Sequence, residues 1–459
     1  MAAQVHDLVF VKPRAKTAGS RQAMSDARHL AHAALSRASA FITRDGPILA
    51  ARNILISTIG IDVAALDEFV ALLPREPSAT SALPVQGNGF ECGALPASEL
   101  SRYLTDAGVP TALIAEMCTD NDNEAQIRRE AIREFERIVA VGVIKIPKGM
   151  EPVARLLVHV RPEHFDCDMF ADFLLDTLTR HACSEVATMI ELIHLPGQSS
   201  TNSLAAARGF FRNDSSGNHM KVALGRPLTR NNWTKTVQEI RRRTGLTLPA
   251  QAPEFTVNPP ELSITTPAKK IVTVGAGKLE DILSPTIFIW PGRDGVIVPI
   301  TRTYADDLLG TSEQSTFAFI ANRDAAFLSK RAYVNSPRAA KAMRPDSPIL
   351  FYESKRQGDG RGAVVAVARI VDSVVMRKSE VPSDGRRRLV VDNVESFSAS
   401  EDVLLTTFDN LFVFPQPISF KKLKSIDAIG RANLISAVSL SSEKVATILT
   451  QGWPCGKGD

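Results

Sequence analysis

Cysteine is scarce and scattered in this sequence of 459 residues. The five cysteines are Cys92, Cys118, Cys167, Cys183 and Cys455, and none belongs to a C-x-x-C pair. Zinc ribbons are built from paired ligands, so this spacing argues against one. An odd number of cysteines without a recognisable signal peptide is typical of a reducing compartment, and we therefore expect a cytoplasmic protein.

Long apolar runs and phosphate-binding glycine motifs are also missing. No stretch approaches the roughly 18 consecutive apolar residues of a membrane helix, so we expect no membrane partner. The G-x-G in Val274–Lys278 lacks the third glycine and the Gly-Lys-Ser/Thr of a P-loop, which argues against nucleotide binding there. A formal net charge of +4 permits a polyanionic partner without requiring one, and the oligomeric state stays undetermined.

Short strands and helices alternate in the centre of the chain. The predicted elements, in order, are the strand Arg155–Arg161, the helix Met169–Ala182, the strand Thr188–His194, the helix Asn202–Phe211 and the strand Lys221–Gly225. This order predicts β-α-β units with parallel neighbouring strands. Upstream, Asn123–Ile138 carries opposite charges three and four residues apart and predicts a helix, whereas Ile138–Ile146 predicts a strand.

The order of the central elements resembles the second half of the GNAT acyltransferase superfamily. Val160–Glu163 falls where that family ends a strand, and Gly209-Phe210 matches a Gly-Phe pair late in its next helix. The resemblance covers about residues 85–245 and implies a mixed α/β sheet core that binds acetyl-CoA. The site residues considered with it are Val158, Val160 and Asn202 for the cofactor and Glu191 as a general base.

The cofactor loop departs from the GNAT pattern. That family uses Arg/Gln-x-x-Gly-x-Gly/Ala, whose small residues let backbone N–H groups approach a pyrophosphate. Here His164–Phe170 has no glycine and carries Asp166 and Asp168, which would repel a polyphosphate. We interpret the two aspartates as N-cap and first-turn residues of the following helix. The loop therefore argues against acetyl-CoA binding.

Metal-ligand residue types are frequent in the same region. They are His159, His164, Asp166, Cys167, Asp168, His181 and Cys183. Their spacing fits no familiar zinc frame, and we expect structural roles for them.

The N-terminal residues 1–75 resemble a partial PIN-type nuclease domain. Ser25–Ser39 predicts a helix with Ser25 as N-cap, and a short strand and a turn follow it. Within them, Asp26–Ala31 and Phe41–Asp45 are similar to the last third of that α/β family. The resemblance implies that Asp26 and Asp45 are two of its three or four metal-binding carboxylates. The others have no counterpart, so Mg²⁺ or Mn²⁺ is expected only if the segment is completed, and ordinary helix and turn roles remain the alternative. We interpret the segment as a PIN remnant or a truncated gene.

The last third of the chain changes to short strands. Residues 246–284 are rich in proline and are predicted to form an extended linker, as is Pro74–Pro84. Residues 285–425, with strands around a helix near Arg302–Gly310, resemble the ASCH and EVE branch of PUA-like domains, which implies a small β-barrel that binds RNA or a flipped base. The residues considered for binding are Arg302, Tyr304, Arg331, Tyr352 and Lys355. Basic runs elsewhere, and a core role for Tyr352, are left open, and residues 426–459 are predicted to form a helix and a tail.

The sequence thus predicts an α/β multidomain protein and leaves three functions open. The first is a nucleic-acid-associated protein that joins a GNAT-like core without acyl-CoA to a PUA-like RNA reader, and the surviving fold signals favour it. The second is an active N-acetyltransferase that uses acetyl-CoA on an RNA-associated or protein acceptor. The third is a metal-dependent ribonuclease of the PIN type.

Overall fold

The computed structural model describes most of the chain, in segments. They are residues 1–10, 18–36, 38, 40–59, 61–65, 85–86, 90–119, 125–149, 153–183, 187–213, 216–255, 259–309, 324–355, 360–389, 394, 400–429, 434 and 436–453. Its contacts divide the chain into two compact units, one of residues 1–81 with 313–319 and one of residues 82–312 with 320–459. The chain is a mixed α/β protein with several sheets. No described helix is long and apolar enough to cross a membrane.

The first unit is a small α/β assembly. Its described elements are α1 Ala2–Val9, α2 Ala18–Leu35, β1 Ala40–Ile42, α3 Gly46–Ala50, α4 Arg52–Ile59 and β2 Asp62–Ala64. Strands β1 and β2 pair in parallel, and Val5, Leu30 and Leu55 are fully buried between the helices. The prediction of Ser25 as an N-cap was wrong, because α2 begins before it. The predicted linker Pro74–Pro84 lies outside the described residues.

The second unit opens with a sheet of eight strands within the described residues. The elements are β3 Val85–Gln86, β4 Phe90–Ala94, α5 Ala97–Asp106, α6 Thr111–Cys118, β5 Ala125–Glu134, β6 Arg137–Pro147, β7 Val153–Val160, α7 Cys167–Ala182, β8 Thr188–Leu192, α8 Ser199–Ala207, β9 Phe211–Arg212 and β10 His219–Ala223. Their order across the sheet is β3-β4-β5-β6-β7-β8-β10-β9. As predicted, β7 and β8 are parallel. Strand β10 is antiparallel to β8, because the hairpin β9–β10 reverses the chain before it.

Residues 125–134 form the strand β5, so the helix prediction for Asn123–Ile138 was wrong. The strand lies between β4 and β6, and it pairs with β6 along its length and with β4 over its second half. Its turn to β6 places Phe135 at a φ of 45° and Glu136 at 69°. Two left-handed residues are the geometry of a tight hairpin turn that normally uses Asn-Gly, so these residue types hide the signal. Pairing on two sides outweighs the helix propensity of the segment.

Helices cover both faces of the central sheet. On one face α7 packs so closely on β6 that a Cβ at Gly142 would lie 2.5 Å from a methyl carbon of Leu178. On the other face, α5 and α6 bury Leu100, Tyr103 and Met117 against the same strands. The apolar residues of each strand are therefore divided between two cores, which explains why the strands have near-continuous apolar sequences.

The segment predicted as a linker is folded. Residues 246–284 contain the hairpin of β12 Glu261–Thr265 and β13 Ile271–Gly275, followed by α10 Ala276–Leu283. They follow β11 Leu228–Thr229 and α9 Arg230–Thr244, and they precede β14 Phe288–Ile289. Leu262 and Leu279 are buried in one cluster with Trp233 and Trp290. This segment folds because its apolar residues pack against apolar residues on either side of it in the chain. The proline content alone does not predict this core.

The remaining elements build a second large sheet. They are β15 Gly295–Ile300, α11 Arg302–Leu309, β16 Arg331–Asn335, β17 Pro348–Glu353, β18 Ala363–Arg377, α12 Ser383–Arg387, β19 Asp402–Ser419, α13 Phe420–Ser425, β20 Val438–Leu440 and α14 Ser442–Gly452. The sheet order is β16-β19-β18-β17-β15-β20, with β15 and β17 parallel. Its two edge strands do not pair with each other in the part of the chain that the structure describes, so the predicted closed barrel is an open sheet there.

Helix α10 is held to this second sheet by a buried ionic network. Arg369 of β18 donates to both carboxylate oxygens of Asp409, at 3.0 and 2.8 Å, and to Asp281 of α10 at 2.5 Å. Glu280, fully buried, pairs with Arg293. Buried charges are tolerated only when they are paired and hydrogen-bonded, and every carboxylate of this network contacts an arginine.

The same helix is held to the central sheet by one buried lysine. Lys221 of β10 is 1% exposed, and its Nζ donates to the carbonyl oxygens of Asp281 and Ile282 at 2.9 Å each. Burial lowers the pKa of Lys221 to about 7, and Arg208 acts in the same direction. The contact also requires glycine at position 209, since the backbone there has a φ of 83° and a Cβ would lie 2.3 Å from the Cα of Ile282.

We expect the substitution Arg369→Leu to lower the free energy of unfolding by about 3–5 kcal/mol, because the fully buried Glu280 and the partly buried Asp281 and Asp409 would lose this cation. Urea denaturation followed by tryptophan fluorescence measures the change. Arg344→Leu, at an exposed arginine of the same unit, is the control and should stay within about 0.5 kcal/mol of wild type. Equal effects of the two variants would contradict the central role of Arg369.

The carboxylate of Asp176, a residue of α7, predicts that the stability of the fold decreases in acid. Asp176 accepts from Arg180 at 2.8 Å and from Arg208 at 2.9 Å. Burial acts to raise the pKa of Asp176, but the two arginines outweigh it and lower the pKa to about 2. A lowered carboxylate pKa stabilises the fold above the ordinary value of about 3.9 and loses that contribution as the pH falls towards 2.

Wild-type stability should therefore fall between about pH 4 and pH 2, and Asp176→Asn should flatten this fall while lowering stability at neutral pH. Urea midpoints measured across that pH range, with Asp384→Asn at an exposed aspartate as control, give the comparison. An unchanged pH slope in Asp176→Asn would refute the assignment.

Candidate functional site

The gap beyond the parallel pair β7–β8 is filled by a side chain of the chain itself. The register ends at Leu156 and Leu192, after which the Ile193 N–H donates to the Leu156 carbonyl at 2.8 Å. Further along β7, the Gln198 side chain accepts from the Val160 N–H and donates to the Val160 carbonyl, both at 2.9 Å. Val158 is 1% exposed. The two valines considered for a cofactor thus lie in the core or bind an internal amide.

The N-terminus of α7 is occupied by protein groups. Asp166 is its N-cap residue and Asp168 lies in its first turn, as predicted. The Asp166 N–H donates to the His164 ring at 3.0 Å, and its carboxylate accepts from Arg387 of α12 at 2.5 Å. The Asp168 carboxylate accepts from the Ser200 hydroxyl. An incoming phosphate would have to displace these contacts and approach two carboxylates.

Glu191 and Asn202 belong to one chain of polar contacts at the end of β8. The Asn218 side-chain amide donates to Glu191 at 2.9 Å, and its oxygen accepts from the His194 N–H at 3.0 Å. The His194 ring lies 3.2 Å from the Asn202 amide nitrogen. Glu191 also lies 3.5 Å from Arg155. Both carboxylate oxygens of the general-base candidate are thus in contact with polar neighbours, and Asn218 and His194 are residues that the sequence pattern did not identify.

A buried histidine–tyrosine pair lies on the opposite side of β7. His159 Nδ1 is 3.1 Å from the Tyr103 hydroxyl, and the rings meet edge to face. Burial lowers the pKa of His159, and the positive charge of Arg161 adds to the effect. Burial likewise raises the pKa of Tyr103 above its ordinary value. Both side chains are therefore neutral at neutral pH and serve the packing of α5 on the sheet.

The candidate metal ligands are dispersed. No group of three or more His, Cys, Asp or Glu side chains that could hold a metal occurs among the described residues. Asp26 accepts from Gln22 at 3.1 Å within α2, and Asp45 caps α3 by accepting from the Ile48 N–H at 3.1 Å. His181 lies 3.1 Å from Arg128, and burial, with Arg128 in second place, lowers its pKa to about 4.

One cationic residue follows the carboxyl end of each of the parallel strands β15 and β17. Ile300 and Glu353, the last residues of the two strands, are register partners, and the Ser354 N–H donates to the Ile300 carbonyl at 2.9 Å. Arg302 and Lys355 each lie two residues beyond these register partners. Tyr304, on α11, packs half-buried against the adjacent core. Carboxyl ends of parallel strands commonly form ligand crevices.

A buried carboxylate at the end of β17 contacts Arg361, which lies shortly before β18. Glu353 is 2% exposed and accepts from the Arg361 N–H at 2.8 Å, with the Arg361 side chain 3.7 Å away. The methylene stem of Lys355 packs where a Cβ at Gly362 would lie, at 2.7 Å from the lysine Cε. These contacts position the base of Lys355. The sequence signal for this arrangement is an acidic residue at a strand end next to basic ones, which is too common a pattern to predict the contacts.

Two of the residues considered for RNA binding have other surroundings. Tyr352 is 7% exposed and lies in the core on the far side of the sheet, with its ring 6.0 Å from that of Phe420. Arg331 donates to the carbonyl oxygens of Leu308 and Leu328, and it thereby holds the end of α11. Arg302 and Lys355 thus each follow one of two paired strand ends, with Tyr304 on the helix that Arg302 begins, whereas Tyr352 lies in another core.

Comparisons with known proteins give distant structural similarity. No protein-family model matches the sequence, and no curated protein matches it significantly. An ASCH protein from Zymomonas mobilis has a TM-score of 0.26 and 13% identity over 34% of this chain and 95% of its own. RimJ of Mycobacterium smegmatis, solved with CoA-disulfide, has a TM-score of 0.24 and 13% identity over 31% of this chain and 86% of its own.

A putative acetyltransferase from Sphaerobacter thermophilus has a TM-score of 0.21 and 17% identity over 31% of this chain and 94% of its own. The similar structures thus include an ASCH protein and acetyltransferases, at low TM-score and partial coverage. Scores of this size carry no argument about activity. They give no support to the PIN resemblance of residues 1–75.

Substitution separates the core tyrosine from the edge lysine. Tyr352→Ala should lower the free energy of unfolding by about 3 kcal/mol or more, because a buried aromatic ring leaves a cavity. Lys355→Ala should stay within about 0.5 kcal/mol, since its ammonium group is exposed. Urea denaturation measures both. A stable Tyr352→Ala protein would show that the ring is not a core residue.

Proposed function

We propose that this chain is a nucleic-acid-associated protein whose second large sheet binds single-stranded RNA at the carboxyl ends of β15 and β17. The position of Arg302 and Lys355 after two paired strand ends carries the proposal. Cations that follow two paired strand ends suit phosphate groups, and Tyr304, on the helix that Arg302 begins, offers an aromatic ring. The class of ligand follows from this combination of positive charge and an aromatic ring.

The central sheet serves as a scaffold in this proposal. Gln198 occupies the Val160 backbone groups, and Asp166 and Asp168 occupy the N-terminus of α7. A ligand with a pyrophosphate would meet two carboxylates there, and electrostatic repulsion opposes such binding. These internal contacts support a core that does not take acetyl-CoA.

The two alternatives are tested separately. An active N-acetyltransferase requires acetyl-CoA binding, which calorimetric titration of the full chain would detect at micromolar concentration. A PIN-type ribonuclease requires Mg²⁺ or Mn²⁺ at a group of acids, whereas Asp26 and Asp45 make local helical contacts. Neither alternative is favoured by a specific contact among the described residues.

Binding to a fluorescent single-stranded RNA of mixed sequence, measured by anisotropy between 50 and 200 mM salt, tests the proposal. The double variant Arg302→Ala/Lys355→Ala should bind at least about tenfold more weakly, and the slope of log affinity against log salt should fall by about 1 for each lost phosphate contact.

The matched control is Lys341→Ala/Arg344→Ala, which removes two exposed positive charges before the opposite end of β17. Its affinity should fall much less, because it leaves the proposed edge intact. Equal losses of RNA affinity in the two double variants would show an effect of net charge alone and would refute the proposed site. No RNA binding by wild type would sink the function.

A further inference from the structure

The gap beside Val160 has the form of a strand position without a strand. Parallel pairing of β7 with β8 ends at Leu156, yet β7 continues for four more residues to Val160. The other edge of β7 stays paired with β6 up to Val160. Backbone N–H and C=O groups on the open edge need partners when they are buried. At Val160 these partners come from one side chain.

The Gln198 amide has the two functions of a peptide group. It accepts a hydrogen bond from the Val160 N–H and donates one to the Val160 carbonyl, both at 2.9 Å. A residue of a neighbouring strand would make the same two bonds. Gln198 is 5% exposed, and the Thr201 hydroxyl donates to its oxygen at 3.2 Å. It follows Gly197, whose φ of 78° turns the chain back towards β7. The turn at Gly197 and the first turn of α8 thus position the Gln198 side chain in the gap.

We infer that Gln198 is a built-in substitute for an extended amide ligand and that it keeps the gap between β7 and β8 closed to such ligands. The chemical class is an extended chain of secondary amides, which includes the pantetheine arm of acyl-CoA. Two successive amides of such a chain would present the same pair of groups to Val160, one through its C=O and the next through its N–H. The inference rests on the part of the proposed function that leaves the central sheet without acetyl-CoA.

The substitution Gln198→Ser removes the amide and keeps a favourable residue type at the N-cap of α8. Reduced pantetheine is the probe, because it carries the amides without the phosphates that Asp166 and Asp168 would repel. Calorimetric titration should show no binding to wild type and clear binding to the variant. Hydrogen exchange of the Val160 amide should be about tenfold faster in the variant and should slow again with pantetheine.

Gln126→Ser, at an exposed glutamine of β5, is the matched control and should behave as wild type in both measurements. Pantetheine binding by wild type as tight as by Gln198→Ser would overturn the inference, as would a folded variant that binds none. If Gln198→Ser does not fold, Gln198→Asn, with an amide one methylene shorter, takes its place under the same criteria.

The two levels of proposal fail separately. Gln198→Ser should bind RNA as wild type does. If this variant binds RNA but does not bind pantetheine, only the role of Gln198 is refuted. Acetyl-CoA binding by wild type refutes the scaffold assignment itself. Absence of RNA binding by wild type refutes the proposed function and leaves the pantetheine comparison standing.

Discussion

The anchoring of one short helix, α10, is the constraint on which the second unit depends. Its C-terminal turn offers carbonyl oxygens to Lys221 of the central sheet and a carboxylate to Arg369 of the other large sheet. Both cations are almost fully buried, so each must keep its partners or become a costly uncompensated group. Because these partners come from sequence-distant strands, the two sheets and the helix form one compact unit.

The possible binding sites of this unit differ in whether internal contacts already occupy them. At Val160, the backbone groups that a ligand would use already bind Gln198, and at the start of α7 a phosphate would meet two carboxylates, which bind Arg387 and Ser200. At the ends of β15 and β17, Glu353 contacts Arg361, while Lys355 stays exposed. The contrast explains why the central sheet is proposed as a scaffold and why the binding role is proposed for the other sheet.

Local sequence signals predicted the strands β6, β7, β8 and β10 of the central sheet and failed where pairing overrides propensity. The strand β7 and the helix α7 follow from apolar periodicity, and the aspartates before α7 follow from capping preference. Strand β5 does not, because its charged residues favour a helix until β4 and β6 pair with it. The Phe135-Glu136 turn lacks the Asn-Gly signature, and proline content concealed the folded hairpin of residues 261–275.

The sequence by itself determined that the chain is a mixed α/β protein and which residue types follow the strand ends. These properties depend on neighbours along the chain, and Arg302 and Lys355 could be named from them. Only the tertiary structure decided that Tyr352 faces a core, that Gln198 reaches Val160 and that Arg387 meets Asp166. Such contacts join residues about 40 to 220 positions apart or depend on which face of a strand is buried. Local patterns do not encode either property.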